Sequence, residues 1–302
     1  MGKAKLTASA LWVPSARGCP NASRPFRAGL RDLGYQEGRN IVIEYRWAEG
    51  RYERLPALFA ELVGLNVDVI VTHGTPGALA AKQVTNTIPI VVAIIADAEA
   101  SGVVASLAEP GANLTGISYF TPGLCAKRLE LLKEIMPGLT DVGVLLNPVN
   151  PANAQIVPTV RRTAELLKLK LNQFGAREPG EFEAAFAEMA SKRIGALVVI
   201  DDANLVANAQ PLVQLALRQR LPSSGWSDYA VAGGLLSYGI NFTDMFRRTA
   251  NFVDKILKGA KPSGLPIERA TKFETIVNLE TAKALGIEMS TSLLLRADEI
   301  IE

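Results

Sequence analysis

The chain has 302 residues, longer than one hydrophobic core usually grows, so two lobes with separate cores are expected. A hydrophobic fraction of 48% and a charged fraction of 21% belong to an ordinary globular protein and exclude a disordered or fibrous chain. Lys plus Arg number 32 against 30 for Asp plus Glu, a net charge of +2 with no basic run, which excludes nucleic acid as a partner.

In chain order, Lys3 and Lys5 precede the mildly apolar stretch LTASALWV. Thr7 and Ser9 interrupt it and no good cleavage site follows, so Leu6 to Val13 reads as a first strand and not as a secretory signal. From residue 41 onward, short β-branched runs alternate with segments of helical periodicity, the pattern of a mainly parallel sheet covered by helices on both faces. Strands are predicted at Ile41 to Tyr45, Val67 to Thr72, Ile90 to Ala93, Leu114 to Ile117, Val142 to Leu146, Lys170 to Phe174, Ala196 to Ile200 and Leu235 to Ser237. Helices between them repeat apolar residues three and four apart, as in Leu55-Leu58-Phe59-Leu62, Leu129-Leu132-Ile135 and Phe182-Phe186-Met189. The series restarts near residue 119, which implies two similar lobes. A helix at Phe246 to Leu257, a strand at Phe273 to Asn278 and a helix at Glu280 to Leu285 complete the chain, which returns to the first lobe and recrosses. No window reaches the roughly 18 uninterrupted apolar residues of a membrane-spanning helix.

In doubly wound sheets, ligands sit beyond the carboxyl ends of the strands, so residues there are the candidates. His73-Gly74-Thr75-Pro76-Gly77 follows the strand ending at Thr72 and precedes a helix predicted to start near Ala78. Free N–H groups at such a start receive a carboxylate or phosphate, and glycines let the backbone approach; an ordinary βα turn capped by Thr75 is the alternative. Asp97 ends the next buried run, either to meet a ligand ammonium or to hold its loop. Asn147, Asn150 and Asn153 follow Val142 to Leu146 as amides able to read polar groups of either kind, or as turn formers. Asp201 is a second candidate for a cationic group, while Asp202 or Asn204 fits a helix cap. Trp226 and Tyr229 wall an apolar solute or fill the core.

Enzyme readings find little support. There is no phosphate loop of the G-x-x-x-x-G-K-[ST] type and no G-x-S-x-G elbow, and the one histidine, His73, cannot serve both a triad and a shuttle. No metal or other cofactor is expected, since no His, Cys or carboxylate set stands at ligand spacing. A racemase using Cys19 and Cys125 as base and acid is the remaining enzymatic alternative, although neither has a partner nearby in sequence.

The phrases FRAGLRDLGYQEGRNIVIEYRWAEG, VDVIVTHGTPGALAAKQVTNTIPIV, PGANLTGISYF, KRLELLKEIMPGL, GGLLSYG, VDKILKGAKPSGLPIE and TAKALGIEMSTSLLLRADEIIE resemble, in that order, the substrate-binding family of ABC importers often described as tryptophan- or aromatic-amino-acid-binding-like. The resemblance runs from Phe26 to Glu302. It implies an α/β fold of two similar doubly wound parallel-sheet lobes joined by three crossovers, the type I periplasmic-binding-protein fold. The lobes are expected at 1–118 with 241–273 and at 119–240 with 274–302, with the solute in a cleft between them and trapped by hinge closure. It further implies that Gly74, Thr75 and Pro76 bind a solute carboxylate, that Asp97 lies beside the cleft, that Asn147 and Asn153 belong to the second lobe's asparagine loop, and that Asp201 pairs with an ammonium. Many members carry Asp-Pro-Val where this chain has Asp97-Ala98-Glu99, and the loop Ala10 to Asn21, with the site candidate Ser15, matches poorly. The implied function is reversible binding of a small carboxylated solute, an amino acid or aromatic acid, by a monomer working in the periplasm or otherwise outside the cytoplasm, with an ABC permease as partner and no catalysis. A ligand-sensing input module is the alternative from another class. A repressor would need an amino-terminal helix-turn-helix, for which the stretch before Leu6 has no room, and a receptor would need a membrane segment.

Overall fold

The computed structural model describes residues 4–8 through their backbone and residues 23–302 in full. The chain divides into two compact units, Met1–Tyr119 with Phe242–Thr271 and Phe120–Asn241 with Lys272–Glu302, so it crosses from one to the other three times.

The first unit begins with β1 (Ala4–Ala8), α1 (Ser23–Asp32), β2 (Ile41–Tyr45), α2 (Leu55–Gly64), β3 (Val69–Thr72), α3 (Gly74–Val84), β4 (Ile90–Ala96) and β5 (Leu114–Tyr119). The second contains α4 (Thr121–Ile135), β6 (Asp141–Leu146), α5 (Asn153–Leu166), β7 (Lys170–Gly175), α6 (Pro179–Ser191), β8 (Ala196–Val199), α7 (Ala203–Ala207), α8 (Ala209–Arg218), β9 (Ser223–Gly225), α9 (Ser227–Val231) and β10 (Leu236–Gly239). The chain then adds α10 (Phe242–Leu257) and β11 (Glu268–Arg269) to the first unit, and β12 (Glu274–Asn278), α11 (Leu279–Leu285), α12 (Thr291–Leu294) and β13 (Glu299–Ile301) to the second.

The first sheet has the order β11-β5-β4-β3-β1-β2 with every pair parallel. The second runs β13-β12-β10-β9-β8-β6-β7, parallel except where β12 lies antiparallel to β10. The stretches β2-β1-β3-β4-β5 and β7-β6-β8-β9-β10 share one strand order, so the fold is α/β with two similar doubly wound lobes joined by three crossovers. In each, the order reverses beside the first strand, and the crevice at that reversal, past the carboxyl ends of the strands, is where such sheets take ligands.

Burial follows from position in the sheet. Central β4, Ile-Val-Val-Ala-Ile-Ile-Ala, is buried at every residue, as a strand covered on both faces requires. The edge strand β7 buries only Phe174. Helix α10 turns Phe242, Met245, Phe246, Thr249, Ala250, Val253 and Ile256 inward at spacings of three and four. It starts one turn earlier than the sequence periodicity suggests, because Phe242 and Met245 extend the apolar stripe and Asp244 suits the positive end of the helix dipole. The first strand expected at Leu6 to Val13 coincides with β1 through Ala8, and the rest of that segment lies outside the described residues. Strands β9, β11 and β13 were not foreseen from the sequence.

Candidate functional site

In the first unit the polar residues follow β3. Gly74 takes φ of 73°, the left-handed region that glycine enters without penalty, and an added Cβ would meet nothing nearer than Pro76 Cδ at 3.6 Å, so the demand is one of conformation. The chain there passes directly into α3, whose first-turn N–H groups have no partner within the helix. Thr75 in that turn is 2% exposed and Thr72 at the strand end 1%, yet neither hydroxyl has a hydrogen-bond partner. His73 precedes the helix in extended conformation with its ring edge-on to Phe246, centroids 5.6 Å apart at 87°. Tyr119 at the end of β5 meets Phe242 in the same manner. Two buried hydroxyls thus lie beside a helix start whose preceding residue, His73, packs against Phe246.

Asp97, also at a strand end, is committed to its own loop. At φ of 44° its carboxylate accepts from Ala100 N at 3.3 Å, and its backbone N–H donates to Tyr119 O at 2.8 Å. Of the two readings open from the sequence, the structure displays loop support. Ser15 and Cys19 lie outside the described residues.

In the second unit the order reverses between β6 and β8, and two polar loops meet across that crevice. Asp202 caps α7 by accepting from Asn204 N at 2.9 Å and Leu205 N at 3.4 Å. The same carboxylate accepts from Asn147 Nδ2 at 3.3 Å and Asn150 Nδ2 at 2.8 Å. The amide oxygens of Asn147 and Asn150 accept from Val149 N and Ala152 N. These two amides therefore build the loop, the turn-forming one of the two roles that the sequence left open to them. Asn153 differs: its Nδ2 donates to Asn147 O at 2.6 Å, while its Oδ1 is buried with no partner.

Asp201 is paired within its own unit. Both of its oxygens accept from the guanidinium of Arg128, Oδ1 from Nη1 at 2.6 Å and Oδ2 from Nη2 at 3.2 Å, and both side chains are buried. Its charge is already matched from within the unit, whereas an ammonium partner was anticipated. Trp226 is 1% exposed and packs edge-on against Tyr229, centroids 5.1 Å apart, with Tyr229 Oη donating to Ser223 Oγ. Of the two roles open to these rings, filling the interior of the unit is the one displayed. Cys125 is fully buried, and that burial pushes its thiol up to about 12 against the opposing pull of Arg128.

Arg128 was missed in the sequence. Its signal was present: it stands four residues after Leu124 and three before Leu131, a charge on the apolar stripe of α4. Among the described residues, no three His, Cys, Asp or Glu side chains gather as a metal site would require, and no helix is long and apolar enough to cross a membrane.

Comparison with known proteins agrees with this architecture. The family described as ABC transporter substrate binding protein matches residues 18–301. A conserved domain protein from Vibrio cholerae has the same fold with a TM-score of 0.90, 27% identity, and coverage of 99% of this chain and 100% of that one. The ABC domain from Streptococcus pneumonia in complex with L-Trp gives 0.88 at 25% identity, over 99% and 100%. A tyrosine-binding protein of Clostridioides difficile is 28% identical over 270 residues, 88% of this chain and 77% of that protein. The fold is that of the type I periplasmic binding proteins, and the chain belongs to the ABC transporter substrate binding protein family.

Proposed function

We propose that this chain reversibly binds a small carboxylated solute, an amino acid or an aromatic acid, and hands it to an ABC permease outside the cytoplasm without converting it. The observation that carries the reading is the start of α3, where the hydroxyls of Thr72 and Thr75 are buried without partners beside helix N–H groups and the left-handed Gly74. Unpartnered buried hydroxyls cost free energy in the empty protein, and a carboxylate would satisfy them together with the helix end. Asn153 Oδ1, buried and without a donor, is the acceptor proposed for an N–H or O–H of the solute in the second unit. Relatives that bind tryptophan and tyrosine support the amino-acid reading. Binding is proposed to couple to hinge motion at the three chain crossings, as in other periplasmic binding proteins, with a monomer as the working form.

The test is a thermal-shift panel of amino acids, aromatic acids and short organic acids at about 1 mM, where a ligand at about 100 times its Kd adds about 2.7 kcal/mol. Stabilisation by carboxylated members, lost in their amides or alcohols, is the expected result. Stabilisation by uncharged solutes alone would overturn the assignment.

A further inference from the structure

We infer that Arg128 is a positioning residue that holds the polar loops of the second unit in their binding geometry; the inference rests on the reading above that the loops after β6 and β8 meet the solute. Its side chain is 0% exposed. From α4 its Nε donates to Tyr238 O in β10 at 2.8 Å. Nη1 donates to Val199 O at the end of β8 at 3.3 Å and to Asp201 Oδ1 at 2.6 Å, and lies 3.6 Å from Cys125 Sγ. Nη2 donates to Asp201 Oδ2 at 3.2 Å. One planar group thus ties a helix, two strand ends and a loop, which needs the rigid fork of a guanidinium and not the single point of an ammonium.

The tie continues past Asp201. Asp202, the next residue, holds Asn147 and Asn150 across the crevice where the strand order reverses, and Asn147 O in turn receives the amide of Asn153. The path from Arg128 to Asn153, whose Oδ1 is unmatched, therefore runs through an uninterrupted set of hydrogen bonds and one peptide link. Gly239 supplies the room: a Cβ there would come within 3.3 Å of Arg128 Nη2 and of Trp226 Cα, and 3.1 Å of Ser227 N. The Tyr238 O that accepts from Arg128 also stands three residues before Asn241, where the chain leaves that segment of the second unit.

A merely structural ion pair and a positioning one are separated by exchanging the pair for apolar residues, because such an exchange often restores stability without restoring the geometry that the charges imposed. Arg128→Lys, Arg128→Met and the double variant Arg128→Met with Asp201→Leu would be compared with the parent for melting temperature, for affinity to L-tryptophan, L-tyrosine and benzoate, and for amide hydrogen exchange in residues 147–153 and 199–208. The expected result is at least about tenfold weaker binding and faster exchange in both segments for all three variants, including the double variant at a melting temperature within a few degrees of the parent. Parental affinity and parental exchange in the double variant, or in Arg128→Lys, would overturn the inference. Should Arg128→Met fail to fold, the lysine and double variants decide. Should the parent bind none of the three probes, that result counts against the proposed solute class, while the exchange rates still decide the role of Arg128.

Discussion

Thr75 and Arg128 are both buried polar side chains, but their energetic situations are opposite. The Arg128 guanidinium meets a carboxylate and two carbonyls, whereas Thr75 Oγ1 meets nothing. Thr75→Val keeps the shape and removes the hydroxyl, so the empty protein should gain stability, by about 1 kcal/mol, while solute binding weakens by about 1–3 kcal/mol. Urea unfolding and titration with a solute from the panel would measure the two effects. A variant both less stable and equal in affinity would refute the role given to Thr75. These two residues also mark how far single positions were legible in sequence. Thr75 was visible because strand, glycine and helix start are neighbours in the chain. Arg128 was not assigned because Asp201 lies 73 positions away and no local pattern announces such a pairing. The same distance effect hid the duties of Asn147 and Asn150, which are set by Asp202 more than fifty residues downstream.

At the scale of elements, the strands that could be read from sequence include β3 and β4, buried on both faces, where β-branched runs stand out, and also the edge strands β2 and β7. Strand β9, Ser-Ser-Gly, is fully buried but has no such residues, and β11 and β13 are two and three residues long. Their pairing is decided by the neighbouring strands and not by their own composition. Helix ends can be ranked by what their caps do. Asp202 caps α7 and anchors two amides. Asn278 caps α11 through Thr281 N at 2.8 Å and donates to Ala230 O at 3.0 Å. Ser290 caps α12 through Leu293 N alone, at 3.2 Å. Alanine at these positions should cost about 3, 2 and 1 kcal/mol in that order, since bonds to a buried carboxylate are the strongest and a single cap bond the weakest. Denaturant midpoints would show the order, and a Ser290→Ala variant as damaged as Asp202→Ala would contradict it.

For the molecule as a whole, stability is divided between two cores, and each unit contains a tyrosine that holds its proton more tightly than a free one. In the first, burial and then the bond from Tyr35 Oη to Asp254 Oδ1 at 3.0 Å raise Tyr35 from 10.0 to about 12. In the second, burial raises Tyr229, with the Ser223 hydrogen bond acting slightly against it. A raised pKa means that the folded state keeps the proton while the unfolded chain releases it. The contribution is therefore complete below pH 10 and declines as pH rises toward about 12, so alkaline loss of stability is expected in that window. Tyr35→Phe should lower stability modestly at neutral pH, by about 1 kcal/mol for the lost hydrogen bond, and make the fall above pH 10 shallower than in the parent. Urea midpoints at about pH 8 and about pH 11 test this, one below and one above the ordinary tyrosine pKa. Trp47 reports the first unit alone once Trp12 and Trp226 are replaced by Phe, which separates the Tyr35 effect from that of Tyr229. An equally steep fall in Tyr35→Phe and parent would show that the Tyr35 proton contributes nothing, and would leave the alkaline limit to Tyr45, which burial also raises, and to Tyr229.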